Sequence, residues 1–396
     1  MRISIFANEI PSTVFIENMV KGLAERGHNI FLYGKCIQNP HYEDYKNINI
    51  ISEPNSKISK VYFALKYCFK LLVINPKLLF HIYKLSKDKK KHRWMRKFNM
   101  YITLYHWNLD IIHIQWAKSI SWLEALIKDG RINTVLSLRG THINVTPLSD
   151  PKTKINFEVL FPSIKGFHSV SYAMIDEAKK YDMSLPNRSV VAYPAITPTT
   201  YNLFTKEYTK TEQFNIISIG RDHWIKGYTY ALDALRILVD EGVPAYYTIV
   251  ASGTLPDQLL FQIEDLDLYK YVNIINGLPH TEVLKAVSKA DVLLMSSIEE
   301  GVPNVVLEAM AVGTPVVSTD CRGIPEIIDD GITGYITQAC FPDSIASDLK
   351  KVYIQSADER EQMILKAREK LTKNHLLEIQ LDNIEKLYLN VINNWK

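Results

Sequence analysis

The stretch VLLMSSIEEGVPNVVLEAMAVGTPVVS, residues 292–318, has the order strand, turn, helix, strand. Two short runs of mainly apolar residues, 292–295 and 315–318, flank a segment whose apolar positions recur with helical spacing. Pro303 stands where a proline commonly begins a helix, and Gly313 where a glycine commonly ends one. Strands joined through a helix pair in parallel, and helices then cover both faces of the sheet. The stretch therefore predicts one unit of a doubly wound α/β sheet.

The same alternation of strand and helix recurs through both halves of the chain. Apolar runs that predict strands lie at 3–7, 30–33, 48–51, 111–116, 135–138, 190–193, 214–219, 246–250 and 272–275. The Pro/Thr-rich segment 193–200 interrupts the pattern as a linker would. We predict two doubly wound, Rossmann-like parallel-sheet domains that face a central cleft. Their bounds are 1–194 and 213–375, with a linker at 195–212 and a C-terminal helix at 376–396 placed against the first domain.

Composition limits the class of protein. The 396 residues are enough for about two domains. A net charge of +3 is small for a dedicated nucleic-acid binder, so we expect no nucleic-acid partner. The four cysteines lie far apart, which fits a reduced compartment and gives no zinc motif. We find neither a signal peptide nor an apolar run of about 18 residues, and we expect a cytoplasmic protein.

Charged side chains follow the predicted strands of the second half. Ligands of open α/β sheets bind beyond the carboxyl ends of the strands. Arg221 and Lys226 follow the strand at 214–219 and could grip a diphosphate, although two solvated loop cations are the alternative. Glu300 lies just before the helix of the quoted stretch, whose first N–H groups could bind a phosphate or a hydroxyl. A favourable helix dipole explains Glu300 equally well, but it does not explain Glu308 among apolar neighbours.

These residues resemble the retaining nucleotide-sugar glycosyltransferases of the GT-B fold, glycosyltransferase family four. The similarity covers 214–337 and consists of the acids Glu300 and Glu308, the cations Arg221 and Lys226, and the segment Gly323-Ile324-Pro325-Glu326. It implies a hexosyltransferase that takes a sugar from a UDP- or GDP-sugar with retention of configuration. Glu308 would bind the ribose and Glu300 the sugar. The donor-binding positions implied are Gly220, Arg221, Lys226, Ser252, Gly277, Leu278, Glu300, Gly301, Pro303, Asn304, Val305 and Glu308.

The first half is similar, more loosely, to enzymes that make capsular or exopolysaccharide. The matching segments are 11–17 and 23–28, although Ser12-Thr13-Val14-Phe15 lacks the glutamate of Ser-Glu-Thr-Phe. The acceptor implied is a glycan or a lipid-linked saccharide. Arg139 occupies the position of a histidine common in relatives, and His142 that of an aspartate. Either residue would hold the acceptor or the donor diphosphate. Together with Arg221, Lys226 and Glu300 they form the predicted catalytic set. A structural histidine or a plain turn is the alternative for His142.

Two further motifs concern metals and membranes. Asp265-Leu266-Asp267 matches the Asp-x-Asp of metal-dependent sugar transferases but falls between predicted strands, remote from the strand-end edge. We interpret it as surface acids and expect no metal and no cofactor. The basic, aromatic stretch 84–98 suits an anionic membrane surface, which would make the protein peripheral at the inner face of the membrane. A solvated helix packed on the first sheet is the alternative.

Two other functions share much of this pattern. An isomerase of the nucleotide-sugar 2-epimerase type would have the same two-domain architecture and similar donors. A non-catalytic nucleotide-sugar-binding protein would bind the nucleotide without turnover. The signature around Glu300 favours transfer over isomerisation.

Overall fold

The chain forms two compact units in a computed structural model that describes residues 1–39, 41–52, 56–88, 90–204, 212–253 and 255–395. One unit is Met1–Ala192 with Leu381–Lys396, and the other is Tyr193–Gln380. Each contains one parallel sheet with helices between its strands, so the predicted pair of doubly wound α/β domains is confirmed. Residues 205–211 of the predicted linker lie outside the described residues.

The first unit has a seven-stranded sheet in the order β3-β2-β1-β4-β5-β6-β7, with every neighbouring pair parallel. Its strands are β1 Arg2–Ile10, β2 Asn29–Cys36, β3 Ile48–Ser52, β4 Ile111–Ile114, β5 Asn133–Leu138, β6 Gly166–Ser169 and β7 Ser189–Val191. Strands β4 and β6 are buried along their whole length, because helices cover both faces of a parallel sheet.

The helices of this unit follow the strands in sequence. They are α1 Val14–Glu25, α2 Lys57–Ile74, α3 Pro76–Leu85, α4 Lys91–His106, α5 Glu124–Asp129, α6 Gly140–Asn144, α7 Thr146–Ser149, α8 Pro151–Leu160 and α9 Tyr172–Ala178. Short 3-10 helices lie at Ala117–Trp122, Phe161–Ser163 and Leu185–Arg188. Helices α2 and α3 share Asn75, whose side chain accepts a hydrogen bond from the N–H of Leu78 at 3.0 Å and so begins α3.

The second unit has a six-stranded parallel sheet in the order β10-β9-β8-β11-β12-β13. Its strands are β8 Phe214–Arg221, β9 Ala245–Ser252, β10 Val272–Asn276, β11 Val292–Met295, β12 Val316–Thr319 and β13 Tyr335–Thr337. Its helices are α10 Pro198–Tyr201, α11 Tyr228–Asp240, α12 Asp257–Asp265, α13 His280–Lys289, α14 Asn304–Val312, α15 Ile324–Ile327, α16 Pro342–Ile354 and α17 Ala357–Asn374, with a 3-10 helix at Trp224–Lys226.

The last helix, α18 Leu377–Ile392, belongs mostly to the first unit. Five of its side chains are buried there: Leu381, Ile384, Leu387, Tyr388 and Val391. At its start, Arg26 donates to Asp382 at 2.7 Å and to Glu385 at 2.8 Å. The end of the chain therefore completes the core of the unit that contains its beginning.

No helix in the described part of the chain is both long enough and apolar enough to cross a membrane.

Candidate functional site

The carboxyl ends of the strands in the second sheet lie along one edge, because every neighbouring pair is parallel. Arg221 ends β8 and is the register partner of Ser252, which ends β9. Gly277 follows β10, and its N–H donates to the carbonyl of Ala251 at 2.8 Å. Leu278 comes next and packs on the apolar cluster beneath this edge. Three neighbouring strands thus bring these predicted donor positions to one edge of the sheet.

Two glycines shape the loop that carries Lys226. Gly227 has φ of +63°, and a Cβ there would lie 2.1 Å from the carbonyl oxygen of Ser296, so no side chain fits. A Cβ at Gly220 would lie 2.9 Å from Cε of Lys226, so a larger residue there would displace the lysine. The Ser296 hydroxyl donates to the carbonyl of Lys226 at 2.9 Å. These contacts join the loop after β8 to the loop after β11.

Lys226 and Glu300 meet at this junction. The ammonium of Lys226 lies 2.6 Å from Oε1 of Glu300, and the hydroxyl of Ser297 donates to the same oxygen at 3.3 Å. Both charged side chains are largely shielded, with 15% and 18% of their surface exposed. Arg221 is exposed, and no hydrogen bond or ion pair of its side chain is found within the described ranges. The edge thus holds one paired cation and one solvent-facing cation.

Helix α14 begins and ends where the sequence predicts, at Asn304 and Val312, with Gly313 in the left-handed conformation. Pro303 precedes it, and no side chain caps its N-terminus. The first-turn N–H groups of Asn304 and Val305 have no carbonyl four residues earlier within the helix to bond. The carbonyl of Gly301 accepts from the N–H of Gly323 at 3.1 Å, which ties the turn before α14 to the segment before α15.

Glu308 lies one turn into α14, between the buried side chains of Leu307 and Ala309. A charge among these apolar neighbours is costly without a partner. The structure provides one, because Nε2 of His280 lies 2.7 Å from Oε1 of Glu308. His280 opens α13 two residues after Leu278, and its place at the same sheet edge was the signal that sequence reasoning did not use. His280 therefore orients the carboxylate of Glu308.

The pair predicts a titration at His280. The hydrogen bond to Glu308, with its charge, raises the pKa of His280 although burial opposes the shift. We expect NMR titration to give a lower His280 pKa in Glu308→Gln than in the wild type. A raised pKa means that the folded state binds the proton more tightly than the unfolded state does. The stabilisation from the pair is therefore fully present at pH values below the unfolded pKa of about 6.5. That stabilisation is lost as pH rises through the folded pKa. Identical titration curves for the two proteins would refute the contact.

Two further acids at this edge have protein partners. Nε of Arg322 donates to Oε1 of Glu299, the residue before Glu300, at 2.9 Å. The hydroxyl of Tyr193 donates to Oε2 of Glu326 at 2.8 Å, which anchors the Gly-x-x-Glu segment to the first residue of the unit. Sequence reasoning found the acids but missed these partners, which come from distant segments.

In the first unit, Arg139 follows β5 at the carboxyl edge of its sheet. Its Nη2 donates to Oε1 of Gln115 at 3.1 Å, and its Cζ lies 4.5 Å from the ring centre of Phe15. Burial lowers the pKa of Arg139 to about 9. Nε of Arg139 and Nε2 of Gln115 are shielded from solvent and have no hydrogen-bond partner in the described part of the chain. These two neighbouring N–H groups are thus available as hydrogen-bond donors. Gln115 was absent from the predicted site residues.

His142 lies in α6, one turn beyond Arg139. Its ring centre is 5.4 Å from that of Trp116, at an interplanar angle of 60°. Trp116 in turn lies edge-on to Phe15, with ring centres 6.2 Å apart. The structure therefore brings both predicted residues of the first unit, Arg139 and His142, against one aromatic cluster.

Buried polar side chains lie beneath this cluster. The two ring nitrogens of His113 contact the hydroxyls of Tyr388 at 2.7 Å and Ser137 at 2.9 Å, and Ser137 also contacts Nδ1 of His168 at 2.9 Å. Burial lowers the pKa of His113 well below its usual range and that of His168 to about 3. Both imidazoles are therefore neutral, and we assign them to the core of the sheet.

The Asp-x-Asp segment and the basic stretch lie elsewhere. Asp265 ends α12, and Asp265 and Asp267 are both exposed before β10, at the amino end of that strand. No group of three or more His, Cys, Asp or Glu in the described ranges is arranged to hold a metal. In the 84–98 stretch, Lys89 lies outside the described residues, and Trp94 stacks on buried Phe98 with ring centres 5.5 Å apart. Its aromatic side chains therefore contribute to the core.

Comparison with known proteins identifies relatives of both sequence and fold. A family model described as glycosyl transferases group 1 matches residues 202–370. The amylovoran biosynthesis glycosyltransferase AmsK of Erwinia amylovora is 26% identical over 387 residues, 90% of this chain and 92% of that protein. A putative colanic acid biosynthesis glycosyltransferase, WcaL of Salmonella typhimurium, is 34% identical over 165 residues, 40% and 41% of the two chains.

A similar solved structure is that of Anabaena HepE in complex with UDP. It matches with a TM-score of 0.71 at 14% identity and covers 98% of this chain and 99% of that one.

Proposed function

Since the chain is a glycosyltransferase of the GT-B fold, similar to enzymes of exopolysaccharide synthesis, we propose that its donor is a UDP- or GDP-linked sugar. The proposed acceptor is a glycan or a lipid-linked saccharide, and the product keeps the anomeric configuration of the donor. The observation that carries this proposal is the gathering of two cations, an uncapped helix N-terminus and two carboxylates along one sheet edge.

Each group at that edge has a role in the proposed reaction. The leaving diphosphate gains negative charge, which Arg221, Lys226 and the first N–H groups of α14 stabilise. Lys226 would then be shared between Glu300 and the phosphate, because the two charged side chains already lie 2.6 Å apart. The cations neutralise the diphosphate directly, so the proposed reaction needs neither a metal nor a cofactor.

The carboxylates hold hydroxyl groups. Each accepts hydrogen bonds from two adjacent hydroxyls, as a ribose or a hexose presents them. Glu308, oriented by His280, binds the ribose, and Glu300 positions the transferred sugar. In the first unit, the available donors of Arg139 and Gln115 bind an oxygen of the acceptor or of the donor diphosphate.

The proposed place of reaction is the inner face of the cell membrane. A lipid-linked acceptor is held there, and the lysines and arginines of 84–98 carry charge that anionic lipids attract. The protein would work from the cytoplasm, where nucleotide sugars are made.

Product analysis tests the proposal. The protein is incubated with a panel of UDP- and GDP-sugars, with and without saccharide acceptors, and the products are analysed by mass spectrometry and by proton NMR of the anomeric position. We expect a glycoside with the donor's configuration and slow donor hydrolysis without acceptor. Rearrangement of the donor alone would indicate an isomerase, and tight binding without turnover a binding protein. An inverted product would refute retention.

A further inference from the structure

Helices α2 and α3 present an unusual amount of apolar surface to solvent. Eight apolar side chains of α2 are between 48% and 84% exposed: Ile58, Val61, Tyr62, Leu65, Phe69, Leu72, Val73 and Ile74. Helix α3 adds Phe80 and Tyr83, which are 60% and 45% exposed. We call these ten side chains the α2 face. Soluble monomers seldom expose a contiguous apolar patch beyond a few hundred Å².

The α2 face is distinct from the side of the helix that holds the fold together. The exposed positions 58, 62, 65, 69 and 72 repeat every three or four residues and so form one stripe. Ala64, Tyr67 and Leu71 lie on the opposite side and are buried in the core of the first unit. The helix is therefore docked already, and its outer stripe is apolar without contributing to that core.

The charges of the segment that carries the stripe have one sign. Between residues 56 and 87 every charged residue is a lysine: 57, 60, 66, 70, 77, 84 and 87. Lys66 and Lys70 are exposed next to the stripe, and neither is ion-paired with an acid of the described residues. A two-fold pairing of this face with a second copy would bring lysines close to lysines. An anionic surface complements the face in both polarity and charge.

We propose that the α2 face inserts into the headgroup region of an anionic lipid bilayer. Helix α2, 18 residues and about 27 Å long, lies parallel to the surface, with its stripe about 5–10 Å deep. Its lysines contact lipid phosphates, and the hydroxyls of Tyr62 and Tyr83 stay at the polar boundary. The inserting surface is thus α2 and not the 84–98 stretch, whose Trp94 and Phe98 pack inward. The biological role of this contact rests on the proposed lipid-linked acceptor.

Vesicle flotation tests the contact without any turnover. Wild-type protein is mixed with vesicles of phosphatidylglycerol or of phosphatidylcholine, and the floating fraction is measured at low and high salt. We expect flotation with phosphatidylglycerol that weakens with salt and much less with phosphatidylcholine. The partition coefficient of the double variant Leu65→Glu, Phe69→Glu into phosphatidylglycerol vesicles should be at least about tenfold lower than that of the wild type. The matched control is Phe261→Glu, Ile354→Glu, whose side chains in the other unit are 69% and 67% exposed. It should float like the wild type.

Three outcomes overturn the inference. The first is no flotation of the wild type, and the second is equal flotation of the wild type and the Leu65, Phe69 variant. The third is a wild type that is dimeric in sedimentation equilibrium while this variant is monomeric. The third would make the face an interface between two copies. Nucleoside-diphosphate binding, measured without vesicles, separates this inference from the proposed function. A protein that floats but binds no nucleotide keeps the lipid contact and loses the donor site, and the reverse result removes only the lipid contact.

Discussion

Replacement of Lys226 by methionine is expected to lower kcat by about 10²–10³, or about 2.7–4 kcal/mol of transition-state stabilisation. The methionine keeps the length of the side chain and removes the charge that neutralises the leaving diphosphate in the proposed reaction. Glu300 would also lose its partner at 2.6 Å, so its carboxylate would repel the diphosphate. Single-turnover kinetics with saturating donor measure the chemical step directly.

The control for this variant is another ion-paired lysine of the same unit. Lys350 lies 2.6 Å from Glu241, the same separation as in the Lys226–Glu300 pair, but on the surface of α16. Lys350→Met should keep kcat within about twofold, since exposed ion pairs contribute little. A Lys226→Met enzyme with unchanged kcat and an unchanged melting temperature would refute the assigned role of Lys226.

Removal of residues 381–396 is expected to unfold the first unit. The five buried side chains of this segment stabilise the fold by about 1.5–3 kcal/mol each, so the total of about 7–15 kcal/mol rivals the net stability of a whole domain. Circular dichroism and limited proteolysis of the truncated chain measure the loss. The second unit, residues 193–380, keeps all of its strands and should resist proteolysis longer.

A pair of point variants makes this test independent of the truncation's solubility. Leu387 is fully buried on α18, and Leu389, two residues later, is 51% exposed. Leu387→Ala should lower the free energy of unfolding by about 2–5 kcal/mol, whereas Leu389→Ala should change it by less than about 0.5 kcal/mol. Equal destabilisation by the two variants, measured by urea denaturation, would contradict the docking of α18.

The sequence predicted the fold because most strands are continuous apolar runs. β6, Gly-Phe-His-Ser, was missed because it has one apolar side chain, and its histidine is buried through bonds to Ser137 and the carbonyl of Ala192. β13 was missed because it has only three residues, Tyr335–Thr337, too few for a periodic signal. In the order of the strands, β6 is next to last in its sheet and β13 is last. The strands beside them supply their backbone hydrogen bonds.

The candidate site was predictable only as a set of positions. Arg221, Lys226, Glu300 and Glu308 carry a local motif, but their partners depend on which distant loops meet. The contact of His280 with Glu308 and that of Lys226 with Glu300 are set by the strand order, which no periodicity reveals. The α2 face was hidden for a similar reason. Helix α2 is apolar on two sides, and only packing shows which side the core covers.

The central claim is that the carboxyl edge of the second sheet binds a nucleoside diphosphate, and calorimetric binding of UDP and GDP tests it most directly. We expect one of them to bind the wild type and Glu308→Ala to bind it about 10–100-fold more weakly, because two hydrogen bonds to a charged carboxylate are lost. Glu264→Ala, which removes an exposed acid of α12, should bind like the wild type. Equal affinities of the wild type and Glu308→Ala, or no binding of either nucleotide, would contradict the claim.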